Sequence, residues 1–189
     1  MSCLTRNSNS KASITKINER IKRLNLKHST FLLVFFISTI LALGQKSIDE
    51  TLSKYNSGTV PYISVDELES KISNNQNIIL LDTRSKEEYK VSHLKKAVWV
   101  GYKSFEKSRV EKFDKNAEII IYCSVGVRSE KIGEELKNLG FTDIKNLYGG
   151  IFLWTNKGLP LYANGKQTDF IHTYNKRWSQ FITKGKKVY

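Results

Sequence analysis

The chain has 189 residues, 40% of them hydrophobic and 26% charged, with 31 Lys and Arg against 18 Asp and Glu for a net charge of +13. That composition suits one globular domain with additions. It excludes some functions: no basic stripe with interleaved aromatics is long enough to argue nucleic-acid binding, and three scattered histidines with two cysteines give no metal constellation.

Residues 1–44 hold seven Lys and Arg against one acid, Glu19, so +6 of the charge falls there and +7 in the remainder. Phe31 to Leu43 is an apolar run of thirteen residues that follows the basic stretch and ends in Ala42-Leu43-Gly44. This is the layout of a secretory signal peptide. The run falls short of the ~20 residues a membrane span needs. The expectation is cleavage near Gly44 and a secreted or periplasmic protein. The alternative is a retained leader anchoring the chain to the inner membrane, the one case in which a membrane becomes a partner. With the leader removed, Cys123 is the one cysteine left, and the mature protein then cannot form an internal disulfide.

Residues 45–61 read as a polar linker. Tyr62-Ile63 opens a first strand, and Ser64-Val65-Asp66-Glu67 has capping-box spacing, with Leu68 and Ile72 on one face of the helix it starts. Strands are expected at 77–82, 97–100, 118–122 and 143–147. Helices or helical turns are expected at 86–90, 103–113, 129–139 and 151–154. Ile132, Leu136 and Leu139 recur at helical spacing, and Gly140 sits where that helix would stop. Short apolar strands alternating with helices predict an α/β domain over 62–162, with a parallel sheet covered on both faces. In 163–189, Phe170, Tyr174, Trp178 and Phe181 fall near helical spacing around Lys176 and Arg177. A terminal helix packed on the domain is expected. A docking surface for a partner or an anionic membrane is the functional alternative.

The chemistry concentrates in Tyr122-Cys123-Ser124-Val125-Gly126-Val127-Arg128-Ser129. A cysteine ends a strand, a loop follows, and a helix begins. The free N–H groups and partial positive charge of a helix start lower a thiol's pKa. Gly126 gives the loop its turn, and Arg128 adds a permanent cation. Cys123 is therefore the candidate nucleophile, with Ser124, Val125, Gly126, Val127 and Arg128 as its anion cradle. Asp82 and Arg84 are expected to tie a strand end to its loop through hydrogen bonds and a salt bridge. His93 is read as structural, and neither His28 nor His172 points to a site.

Three motif sets resemble the single-domain rhodanese-like sulfurtransferases. The first is Leu81-Asp82-Thr83-Arg84 with Glu88-Tyr89, Ser92-His93-Leu94 and Ala97. The second is the Cys123 loop. The third is Leu147-Tyr148-Gly149-Gly150-Ile151 with Trp154, Gly158 and Pro160. The match spans roughly 62–162 in the family's order. The resemblance implies a five-stranded parallel sheet flanked by helices. It also implies a Cys123 persulfide that carries sulfur from a small anionic donor such as thiosulfate to a thiol or cyanide acceptor, small molecule or protein, with no cofactor and no metal. Arg128 would attract the donor and hold the loop. Related phosphatases have one more residue between Cys and Arg, whereas Cys123 to Arg128 has the sulfurtransferase length. A regulatory or docking module without turnover is the other reading. Ser124 and Val125 are uncharged where members devoted to thiosulfate often carry basic residues, and Val127 replaces a residue that is commonly polar.

Overall fold

The computed structural model describes residues 48–189. The expected leader, its cleavage site and any anchor lie outside the described residues. Among the described residues no helix is long and apolar enough to cross a membrane.

The elements run α1 (48–55), β1 (Tyr62–Ile63), α2 (Val65–Ser73), β2 (Ile79–Asp82), α3 (Lys86–Val91), β3 (Val98–Trp99), β4 (Ile119–Tyr122), α4 (Val127–Asn138), β5 (Ile144–Leu147) and α5 (Gly150–Asn156). Then come β6 (Leu161–Ala163), β7 (Lys166–Thr168), β8 (Phe170–His172) and β9 (Lys186–Val188), with 3₁₀ turns at Lys107–Arg109 and Trp178–Phe181. The main sheet is five-stranded and parallel, in the order β1-β5-β4-β2-β3.

The central strand shows why both faces are covered. Ile119, Ile120, Ile121 and Tyr122 are each fully buried, and successive residues point to opposite faces. Ile119 and Ile121 join a cluster with Ile132 and Leu136 of α4 and with Val60 and Val110. Ile120 and Tyr122 join the other cluster, with Leu68 of α2, Ile151, Phe152 and Trp154 of α5, and Ile171 and Ile182. Helix α2 starts as its sequence predicts: the Glu67 N–H donates to the Ser64 hydroxyl, and the Ser64 N–H donates back to the Glu67 carboxylate, both at 3.1 Å.

Two expectations are corrected. Within the expected 45–61 linker, the described residues 48–61 are not a free spacer. Ile48, Leu52 and Val60 are buried, and the Glu130 carboxylate of α4 accepts N–H bonds from Ser57 and Thr59, both at 3.0 Å. Nor is 163–189 a terminal helix; apart from the 3₁₀ turn at Trp178–Phe181 it is built of short strands and turns. Asn164 and Gly165, both at positive φ, make the two-residue turn of the β6–β7 hairpin, and β8 pairs in parallel with β9. Ile171 and Ile182 are core residues, so this segment belongs to the domain and does not trail from it.

Candidate active site

The site lies beyond the carboxyl end of β4, the central strand, where open α/β sheets place their ligands. The chain leaves Tyr122, passes through Cys123 to Gly126, and enters α4 at Val127, two residues earlier than the sequence suggests. Gly126 has φ +116°, a conformation side chains rarely adopt, and its N–H donates to Cys123 Sγ at 3.2 Å.

Neighbouring elements hold this loop from several sides. Asn146 of β5 is fully buried; its Nδ2 donates to the Gly126 carbonyl at 2.8 Å, and its Oδ1 accepts from the Ser129 hydroxyl at 2.7 Å. From the segment after α1, Asn56 Nδ2 also donates to the Gly126 carbonyl, at 3.0 Å. At the start of α5, the N–H groups of Ile151 and Phe152 donate to the carbonyls of Cys123 and Ser124 at 2.9 and 3.0 Å. That approach needs glycine at position 150, where a Cβ would stand 2.4 Å from the Cys123 oxygen.

Cys123 is 1% exposed, yet it lines a cavity of about 180 Å³, so the sulfur is recessed and not sealed. Burial pushes its thiol up. The Arg128 charge, the N–H groups of Ser129 and Gly126, and the Ser129 hydroxyl outweigh that, and the net effect lowers its pKa below the ordinary thiol value.

Arg128 does not point freely into the cavity. Its Nη1 and Nη2 each lie 2.8 Å from a separate oxygen of Glu88, and Nη2 donates to the Ser124 hydroxyl at 2.9 Å. The Ser124 hydroxyl in turn donates to Glu88 Oε1 at 3.1 Å. Burial raises the Glu88 carboxyl, but the Arg128 bonds and charge, with Arg84 behind them, hold it down at about 2. The cradle thus contains a closed ion pair. Its arginine shapes the loop, and its charge is compensated by a partner that stays ionised at neutral pH.

The other residues singled out from sequence fall into place around this. Val125 is buried in the core and, with Val127, also lines the cavity. Asp82 and Arg84 are both fully buried, paired at 2.7 Å, and stand away from the cavity lining. The Arg84 Nη2 also donates to the Ser92 carbonyl, which ties the end of β2 to the end of α3. His93 stacks on Tyr89 with centroids 4.0 Å apart and bridges to Tyr162 through backbone hydrogen bonds, a structural role.

Sequence reasoning missed Glu88 as a site residue, although Ser85-Lys86-Glu87-Glu88 repeats the capping-box spacing. Glu88 is the third helical residue of α3, and its Oε2 accepts the Ser85 N–H at 2.9 Å. Tyr55, Tyr174 and Trp178, which wall the cavity, were also missed. Tyr174 and Trp178 stand out in sequence only as part of a C-terminal aromatic set, and nothing local places any of the three beside Cys123, which they reach through the tertiary fold.

A family model for the rhodanese-like domain matches residues 64–157. Among curated proteins, the Bacillus subtilis protein named "Putative sulfur carrier protein YrkF" is 32% identical over 105 residues, 56% of this chain and 56% of that protein. A tRNA uridine(34) hydroxylase from Legionella pneumophila is 33% identical over 119 residues, 59% of this chain and 44% of its own. The chain therefore spans about half the length of these curated relatives. A crystal structure of a rhodanese-like domain protein from Staphylococcus aureus is 28% identical, with a TM-score of 0.50, and covers 56% of this chain and 99% of its own. The fold, the loop and these matches agree: through the domain at residues 64–157, the chain belongs to the rhodanese-like family.

Proposed function

We propose that this chain is a sulfurtransferase that carries a sulfane sulfur as a persulfide on Cys123. The observation that carries the reading is the recessed Cys123 sulfur, bonded to the Gly126 N–H at the floor of an open cavity and biased toward thiolate. The thiolate attacks the outer sulfur of a donor. A new S–S bond forms at Cys123, the donor's own bond to that sulfur breaks, and the remainder leaves with the electron pair. The persulfide anion rests among the N–H groups of the loop and the first turn of α4, as an oxyanion would. A thiol or cyanide acceptor then attacks the outer sulfur and returns the Cys123 thiolate, which gives ping-pong kinetics. Arg128 acts here by holding the loop shape through Glu88 and by stabilising the thiolate.

Intact mass tests this directly. The full-length chain, incubated with methanethiosulfonate or thiosulfate, should gain one sulfur atom, and Cys123→Ser should gain none. Release of phosphate from an aryl phosphate without any sulfur adduct overturns the reading. The thiol acceptor and the location outside the cytoplasm expected from the leader form part of the same proposal, and cell fractionation checks the latter.

A further inference from the structure

The aromatic side chains that line the cavity above Cys123 all come from chain outside residues 64–157. Tyr55 comes from α1, and Tyr174 and Trp178 come from the segment between β8 and β9; Val125 and Val127 add aliphatic surface. The volume is about 180 Å³, and about 150 Å³ of apolar cavity accommodates a benzene ring. Among the residues lining it, Arg128 is the only cation, and both of its Nη atoms are engaged by Glu88. A dianion such as thiosulfate entering here gives up hydration and gains no net charge in return.

Tyr174 supplies a second observation. It sits at φ +66°, an outlier for a bulky side chain, and such conformations cluster at ligand clamps. Its N–H donates to His172 Nδ1 at 3.0 Å, and its ring lies 5.0 Å from the Arg128 guanidinium. Tyr174 as a residue remains about half exposed, as does Tyr55. The backbone is thus held in a costly shape that keeps an aromatic face at the cavity, open to a visitor.

We propose that this aromatic wall selects a sulfane-sulfur donor bearing an aryl or similarly flat apolar group, in preference to thiosulfate. The inference rests on the sulfurtransferase reading above and names its substrate class. With an arylthiosulfonate the thiolate forms its S–S bond to the outer sulfur, the bond to the sulfonyl sulfur breaks, and an arylsulfinate departs with the electron pair. One anion enters, one anion leaves, and no proton is transferred.

Benzenethiosulfonate and methanethiosulfonate are both monoanions, so comparing them isolates the apolar contact. The full-length chain is assayed with each donor and cyanide as acceptor, and the ratio of kcat/KM is divided by the ratio of their rates with a free thiol. A corrected aryl preference of about tenfold or more is expected, the scale on which apolar pockets discriminate. Tyr174→Ala and Trp178→Ala should each reduce it about threefold or more, and Tyr174→Phe should keep it. If Trp178→Ala fails to fold, Tyr174→Ala and Tyr55→Ala, at exposed positions, carry the test. A corrected ratio near one, or a ratio untouched by the alanine variants, overturns the aryl assignment while leaving sulfur transfer intact. No persulfide from either donor overturns the sulfurtransferase reading itself, and the aryl assignment with it.

Discussion

Replacing Glu88 with glutamine keeps the shape of the side chain and removes the charge that Arg128 grips through two 2.8 Å contacts. Glu88 is 1% exposed, so water cannot take over that role. Its carboxyl titrates at about 2 in the folded protein against an ordinary 4.5. That gap corresponds to about 3 kcal/mol of stability at neutral pH. Because the folded value lies below the unfolded one, this contribution is complete above about pH 4.5 and is lost as the pH falls toward 2. The amide oxygen still accepts one bond from Arg128, so Glu88→Gln should cost about 2–3 kcal/mol and lower Tm by about 6–10 °C for a domain of this size. Calorimetry from neutral pH down to acid unfolding provides the assay. The parent should lose stability steeply on the acid side, and the variant should show a shallower fall from a lower plateau. A variant melting within about 2 °C of the parent, with the same acid limb, would refute the claim that this ion pair supports the loop.

The same substitution uncompensates Arg128, so Glu88→Gln should raise the use of thiosulfate relative to methanethiosulfonate; an unchanged ratio in kcat/KM counts against charge masking. Arg128→Ala should shift the pH at which Cys123 is half-alkylated by iodoacetamide upward, since Arg128 is the leading influence lowering that thiol; a profile that stays put removes Arg128 from thiolate stabilisation. Gly150→Ala forces a Cβ to 2.4 and 2.6 Å from two loop carbonyls at φ +55°. It should cost at least about 2 kcal/mol by denaturant midpoint and abolish persulfide formation. Asn146→Ala deletes two buried hydrogen bonds of the loop clamp and should cost about 2–3 kcal/mol in the same measurement.

What could be read from the sequence, and what could not, follows the range of the physics involved. Ile119 to Tyr122 is a strand because a β-branched apolar run between turn signals has few other fates, and Ser64 to Glu67 caps a helix through contacts three residues apart. The Cys123 loop was legible for the same reason, as strand, turn and helix start are local events. The buried Asp82–Arg84 tie spans two positions and was equally accessible. In 163–189 the aromatic spacing suggests a helix, but Asn164-Gly165, whose preference for positive φ at both residues favours a hairpin, sets the local structure instead. Residues 45–61 look polar on average, but Ile48, Leu52 and Val60 are buried, and each finds its cover only in three dimensions. Glu88 was hidden by a double role, since the oxygen that caps α3 also binds Arg128, forty positions away.

The aromatic walls of the cavity and the nucleophile arrive on separate stretches of chain. Tyr55 precedes the family-matched span, Tyr174 and Trp178 follow it, and Cys123 with its clamp lies inside. On the proposed aryl selection, the aromatic part of donor preference is therefore separable from the sulfur chemistry of the loop. A chimera that grafts the flanking segments of this chain onto another rhodanese-like core would inherit the wall without inheriting the loop. Two relatives aligned only over the shared core could perform the same bond exchange on quite different molecules.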